Sequence, residues 1–301
     1  MKTLNSILCL AIVLSLSGER AESAERKEMK EQNPAAGATL VSDAAAKFEA
    51  ARALLPKGIK RGNPGESFAL MKEAADAGYP DAVGAIGHYL ANGIGTPKDE
   101  VEAVRWFRKG AGLGSAKAML NYGLVLCQGK GVAMNAADGR EWIRKAAATG
   151  LPEANLEWAE TLYHGNYGAT VDRAAAFPFY KVAADAGHPG ACNTLGALYE
   201  EGMGVEADPG IATELYQKAA RQGHTLGQVN YARMLDPESN EVEKRVEAIA
   251  WLLLAEESGS VQAGKLLQPL RIGGAAGDFG AAATRAGKLR MEILRVRADR
   301  P

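Results

Sequence analysis

Apolar and polar positions along this chain repeat in one fixed order. Large apolar residues stand at Leu70, Trp106, Trp142, Phe179, Leu215 and Trp251, the first five followed four and five residues later by small ones: Ala74–Ala75, Gly110–Ala111, Ala146–Ala147, Ala183–Ala184 and Ala219–Ala220. A glycine closes each segment (Gly78, Gly114, Gly150, Gly187, Gly223 and Gly259), at steps of 36, 36, 37, 36 and 36 residues. Four residues after it come Ala82, Ala118, Ala154, Ala191, Gly227 and Ala263; eight after it, Ile86, Tyr122, Trp158, Leu195, Tyr231 and Leu267. Twelve after it come Leu90, Leu126, Leu162, Tyr199 and Leu235.

Offsets of four, eight and twelve put side chains on one face of an α-helix, and the period-two alternation of strands is absent. Each unit is therefore predicted to be two antiparallel helices, B before the glycine and A after it. A fixed period of this length marks a solenoid, in which one supersecondary unit is stacked many times. The glycine is read as a helix stop, where a left-handed backbone costs glycine least. The alanines let neighbouring helices approach to the near end of the usual ~8–10 Å spacing.

Between A and B lie Gly93-Ile94-Gly95, Gly129-Lys130-Gly131 and Gly202-Met203-Gly204. They recur in register, follow a helix and lack a preceding strand, so they predict turns, not phosphate loops. Asp99, Asp138, Asp172 and Asp208 lie near the next helix start, where a carboxylate can cap amides or oppose the dipole.

The string Ala-x-x-x-Leu-Gly-x-x-Tyr, then Gly-x-Gly-Val and Ala-Ala-x-x-Gly, is nearly complete from Ala191 to Gly223. It resembles the Sel-one-like repeat (SLR) family, relatives of the tetratricopeptide repeats, over about Ser42 to Gly259. The resemblance implies an all-α fold, a right-handed α-solenoid of stacked antiparallel helix pairs over 42–259, with about six units, the first degenerate. Two units depart from the pattern. The one ending at Gly187 has an extra residue and Pro178 within helix B, and the one starting at His224 has the charged run Asp236–Lys244 in place of glycines. SLR proteins typically assemble complexes or modulate envelope and signalling proteins. A cysteine-rich subgroup is linked to β-lactam binding or hydrolysis, but its cysteine pair in each repeat is missing here.

Met1-Lys2 and the apolar run Ile7 to Leu16 predict a signal peptide over 1–23, since about ten apolar residues fall short of the roughly 20 that span a bilayer. Cleavage is expected after Ser23, with Ala21 at the −3 position, or else after Ser17; an uncleaved anchor is the alternative. A lipoprotein anchor at Cys9 is not expected. The mature chain is thus expected to be periplasmic or secreted, without a transmembrane segment, after a flexible lead-in over 24–41. Cleavage removes Lys2, Arg20, Glu19 and Glu22 and leaves the net charge at −1, which gives no electrostatic reason for nucleic-acid binding.

Cys127 and Cys192 fall two units apart, about 20 Å at ~10 Å per layer, against the roughly 7 Å a disulfide allows, and both are expected as unpaired thiols. Cys192 reads as core, and Cys127 as a candidate for the inner groove. Residues 260–301 read as capping helices: Ser260–Leu270 as a last helix A, Gly273–Gly280 as a break, then a helix with an apolar stripe of Phe279, Ala282, Ala286, Leu289, Ile293 and Val296. Its basic residues, Arg285, Lys288, Arg290, Arg295, Arg297 and Arg300, suggest as an alternative that 279–301 docks on a partner or an anionic envelope surface.

By analogy with related repeats, the A helices line a concave face. Its partner-binding positions are read as Asp81, His88, Asn92, Lys117, Gln128, Glu153, Glu160, Tyr163, His164, Asn193, Glu200, Glu201 and Arg233, with Cys127 and Asp236 beside them. The mixture of charge, amide, imidazole and phenol suits a polar peptide or the edge of a folded protein. His188 and His224, one residue after their glycines, read as turn residues. His88 and His164 are too far apart for one metal ion, and Glu200 and Glu201 diverge by ~100° on a helix. No nucleophile elbow, phosphate loop or zinc signature occurs. The reading is an exported scaffold or regulator binding a protein or peptide, with no cofactor, metal or catalytic residue. The alternatives are a β-lactamase-like hydrolase and an envelope-attached adaptor.

Overall fold

The computed structural model describes residues 34–55, 62–273 and 276–298. The signal peptide over 1–23 and residues 24–33 of the lead-in lie outside them. Residues 34–41 do not continue the lead-in: helix α1 (Pro34–Ala53) already begins at Pro34. Proline is favourable there, because its missing N–H is one that the first helical turn leaves unbonded anyway.

Every longer element among the described residues is a helix. After α1 come α2 (Pro64–Asp76), α3 (Pro80–Asn92), α4 (Glu100–Gly112), α5 (Ala116–Gln128), α6 (Ala136–Ala148) and α7 (Pro152–His164). Then follow α8 (Arg173–Asp185), α9 (Pro189–Glu201), α10 (Pro209–Arg221), α11 (Thr225–Met234), α12 (Val242–Glu257), α13 (Val261–Ile272) and α14 (Phe279–Ala298). The even-numbered helices α2 to α12 are the B helices and the odd-numbered α3 to α13 the A helices, the all-α solenoid of stacked antiparallel pairs. The described residues form two compact units, those up to 119 with 130–132, and 120–129 with those from 133 onward.

In the first unit α1 packs on α2, α2 on α3 and α3 on α4. Close packing depends on small residues: a Cβ built on Gly84 or on Gly110 would stand 2.8 Å from the Ala118 methyl. The buried Ser67 hydroxyl is doubly satisfied, with its Oγ donating to the Ala51 carbonyl at 2.6 Å and lying 2.7 Å from Tyr89 Oη. In the second unit consecutive helices from α6 to α13 pack in order, and α14 lies on α12 and touches α10. Its core contains Trp251, Tyr216, Ile249, Leu252, Leu267 and Leu289. The alanines before and after the glycine ruler are buried throughout, among them Ala146, Ala183, Ala219, Ala154 and Ala191.

The ruler glycines all have positive φ, from 78° at Gly223 to 91° at Gly114. After five of them the next residue donates its N–H back to the carbonyl four before the glycine, as from Tyr79 to Ala74 at 3.1 Å and from His188 to Ala183 at 3.0 Å, while Leu151 donates to the Thr149 hydroxyl instead. This bond closes helix B and starts helix A. In four units the residue in this position then caps the A helix. Ser115 and Ser260 do so through a hydroxyl, and His188 and His224 through a ring nitrogen. The two histidines are thus more than turn residues.

At the other junction Asp99, Asp172 and Asp208 cap their B helices, accepting from the amides of Glu102, Ala175 and Ile211 at 2.9, 2.8 and 3.0 Å. Asp138 does not. Asn135 takes the capping position, accepts from the Asp138 amide at 3.2 Å and donates to its carboxylate at 2.7 Å. Replacing Asp172 by alanine should cost about 1 kcal/mol in urea unfolding and replacing Asp138 distinctly less, because only the former leaves a helix start uncapped. Pro178 sits on an exposed side of α8 without ending it. Where glycines are missing after α11, Asp236 takes the left-handed conformation at φ 59°, and α12 begins at Val242, inside the charged run.

Candidate functional site

The A helices present to solvent the residues that their buried alanine faces leave over. In the first unit these are Asp81, His88, Asn92 and Lys117, all exposed. Asp81 accepts from Ser115 Oγ at 2.8 Å, which ties the start of α3 to the start of α5. Asn92 donates to the His88 carbonyl at 2.8 Å and lies 3.2 Å from its ring nitrogen. Partial burial lowers the His88 pKa and favours the neutral ring.

In the second unit several candidates come together across repeats. Asn230 Nδ2 donates to Asn193 Oδ1 at 2.9 Å, and Arg233 donates to Glu200 at 2.7 Å, so α11 is joined twice to α9. Glu200 also accepts from Tyr216 Oη of α10 at 2.8 Å. The Arg233 bond holds the Glu200 carboxyl below its ordinary pKa, and burial opposes this. Tyr163 packs edge-on to His164 and to Tyr180, with ring centroids 4.8 and 5.8 Å apart, while the Arg173 guanidinium lies 5.2 Å over its ring. Glu160, one turn before His164, is half-buried; burial and then the neighbouring Glu157 carboxylate raise its pKa. Gln128, Glu153 and Glu201 are exposed on their helices.

Four contributors escape the inward-position rule. Tyr180 and Tyr216 stand seven residues before Gly187 and Gly223, a position that reads as apolar core because Met71, Phe107 and Ile143 hold it elsewhere. Their rings are buried as that pattern requires, but the Tyr216 hydroxyl reaches Glu200, and burial raises both phenols' pKa. The third is Glu157, whose carboxylate accepts from Tyr167 Oη at 2.9 Å. Tyr167 itself is the fourth. It stands 17 residues after Gly150, in register with Gly95, Gly131 and Gly204, and keeps their left-handed backbone at φ 58°. Arg140 donates to the Tyr167 carbonyl. Burial, then the bond to Glu157, push the phenol up to about 12, while the Gln128 side chain lowers it. Counting from the ruler glycine would have marked this tyrosine as the residue out of place.

Cys127 is not on this face. It is buried, with Sγ 3.8 Å from the Ala136 carbonyl, because helix α6 approaches closely at Gly139, and burial raises its thiol pKa. Such a thiol is a poor nucleophile. Cys192 is a core residue, fully buried, with its Sγ 3.7 Å from the Ala184 carbonyl. Among the described residues no group of three or more His, Cys, Asp or Glu side chains is placed to hold a metal ion.

The C-terminal stripe is buried at Ala282, Ala286, Leu289 and Ile293 and half-buried at Phe279. Val296 departs from the expectation: it is 40% exposed. Three of the basic residues are used within the chain. Arg285 pairs with Glu247, Arg290 with Glu257, and Arg297 donates to the carbonyls of Gln222 and Gly223. Lys288 and Arg295 form no ion pair among the described residues, where no helix is long and apolar enough to cross a membrane.

The Sel1 repeat family model matches residues 48–79, 80–115, 116–151, 152–188, 189–224 and 226–260. Among solved structures the chain is similar to c5321, a protective antigen of uropathogenic Escherichia coli strains displaying an SLR fold, at 28% identity and a TM-score of 0.63. That match covers 83% of this chain and 54% of c5321, so the chain spans about half of that protein. It is also similar to a Sel1 repeat protein from Oxalobacter formigenes, at 26% identity and a TM-score of 0.61, over 76% of this chain and 87% of that one. No curated protein matches the sequence.

Proposed function

Because this chain belongs to the Sel1 repeat family, we propose that it is an exported scaffold or regulator that captures a protein or peptide on the concave face of its A helices. Sel1 repeat proteins are typically protein–protein interaction scaffolds and generally non-enzymatic. The reading rests above all on the second unit. There, buried alanines fix the helices, while Tyr163, His164, Asn193, Glu200 and Arg233 are held at the surface by bonds and ring contacts between successive helices. A surface ordered in this way loses little side-chain entropy on binding. Export rests on the apolar run Ile7 to Leu16 and points to the periplasm or the cell exterior.

Changing Tyr163, His164 and Glu200 together to alanine should reduce partner capture at least tenfold, measured by crosslinking in the native envelope and mass spectrometry, with an unchanged helical circular-dichroism spectrum. Undiminished capture would sink the proposal. A second reading, peripheral envelope contact through α14, draws on Met291 and Leu294, which are 55% and 50% exposed and stand near Lys288 and Arg295.

A further inference from the structure

His188 and His224 occupy the same place in two consecutive repeats, and both cap an A helix with the ring. Nδ1 of His188 accepts from the Ala191 amide at 3.2 Å, and Nδ1 of His224 from the Gly227 amide at 3.1 Å. An imidazole accepts through Nδ1 only while that nitrogen is unprotonated, so each cap requires the neutral ring with its proton on Nε2. Protonation puts an N–H against an N–H and a cation at the positive end of the helix dipole. The equivalent caps at Ser115 and Ser260 have no such dependence.

The two rings are also neighbours. A Cβ added to Gly190 would lie 3.2 Å from His188 Cε1 and 3.8 Å from His224 Nε2, so both border the space that this glycine leaves open. Cations bond the backbone shortly before each of them. Lys218 of α10 donates to the Ala184 carbonyl at 3.0 Å, shortly before His188, and Arg297 of α14 donates to the carbonyls of Gln222 and Gly223, immediately before His224. Arg221 ends α10, and Asp185, near the end of α8, is paired with Lys181. For His224, α11 has no acidic residue in its first turn to stabilise an imidazolium. Burial, then the charge of His188, lower the His224 pKa.

We propose that His188 and His224 are a pair of acid-sensitive helix caps that loosen α11 against α9 as the pH falls, and with it the partner-binding face. The link to that face is direct, since α11 carries Asn230 and Arg233, whose bonds to Asn193 and Glu200 join it to α9. The coupling to a partner rests on the scaffold reading; the loosening itself does not. For His224, a folded-state pKa below the unfolded value means that the unfolded chain binds more protons in acid. Its contribution to stability is therefore complete above about pH 6.5 and is lost as the pH falls below that value towards the folded pKa.

The test is hydrogen–deuterium exchange of the full chain at pH 7.5 and 5.0, corrected for intrinsic rates, with the serine-capped α13 as internal reference. Amides 226–230 should exchange about five- to tenfold faster at pH 5.0, while 262–266 stay unchanged. In the double variant His188→Ser, His224→Ser the acid effect should disappear, because serine caps without titrating. Equal behaviour of the two segments in the wild type overturns the proposal with no variant needed, and so does an acid effect that survives in the serine variant. A crosslinked partner held equally at both pH values, yet lost in the Tyr163, His164, Glu200 variant, would remove the coupling and leave the scaffold reading standing.

Discussion

Gly95→Ala should destabilise the protein by about 3–4 kcal/mol, whereas Gly78→Ala should cost only about 1 kcal/mol. Both glycines are left-handed, at φ 68° and 84°, so both substitutions meet the same conformational penalty. The difference lies in what surrounds them. A Cβ on Gly78 meets nothing within 4 Å, whereas one on Gly95 would stand 1.9 Å from the Pro64 carbonyl oxygen and 2.4 Å from its carbon. Those are backbone atoms at the first turn of α2, which cannot swing aside as a side chain would. Gly131 and Gly204 meet the carbonyls of Glu100 and Ala174 in the same way. Urea midpoints of the two variants would decide: equal, small shifts would show that the turn does not press on the preceding helix B.

That contrast marks how far the sequence could be read. Both glycine sets were legible as turns from their register, and the 36-residue step with its buried alanines was enough for helix pairs and a solenoid. Which glycine touches a neighbouring helix was not legible, because that depends on the path of the turn and not on its φ. The A-helix candidates fared similarly. Glu200 and Arg233 do meet, but their partner Tyr216 occupies a position that periodicity assigns wholly to the core, since a long side chain can be buried in its ring and polar at its tip. Asp138 opposes the dipole from the first turn while Asn135 takes the cap, and the two roles were not separable because an aspartate at the third helical position and one at the cap look alike in sequence. Cys127 went to the wrong face because counting from a glycine ignores how closely α6 approaches at Gly139.

Deleting residues 279–301 should cost at least about 5 kcal/mol and lower the melting temperature by about 10 °C or more. The helix removed buries Leu289 and Ile293 together with Ala282 and Ala286, in one core with Ile249, Trp251 and Leu252. Two side chains of that size contribute roughly 2–3 kcal/mol each through area alone. The paired bonds from Arg285 to Glu247, at 2.6 and 3.1 Å, and the bonds from Arg297 to the turn before α11 are lost as well. Calorimetry gives the answer. A shift of less than about 2 °C, together with lost binding to anionic vesicles, would mean that α14 is an attachment element and not a cap.

Tyr167 has a different kind of consequence. Where three neighbouring turns hold a glycine, this one holds a bulky phenol in a backbone state that tyrosine seldom adopts, steadied by Glu157 and Arg140. An array of interchangeable rungs has no landmark along its length. Held against Glu157, this rung carries a side chain where its glycine counterparts carry none, and so differs from them chemically as well as in sequence.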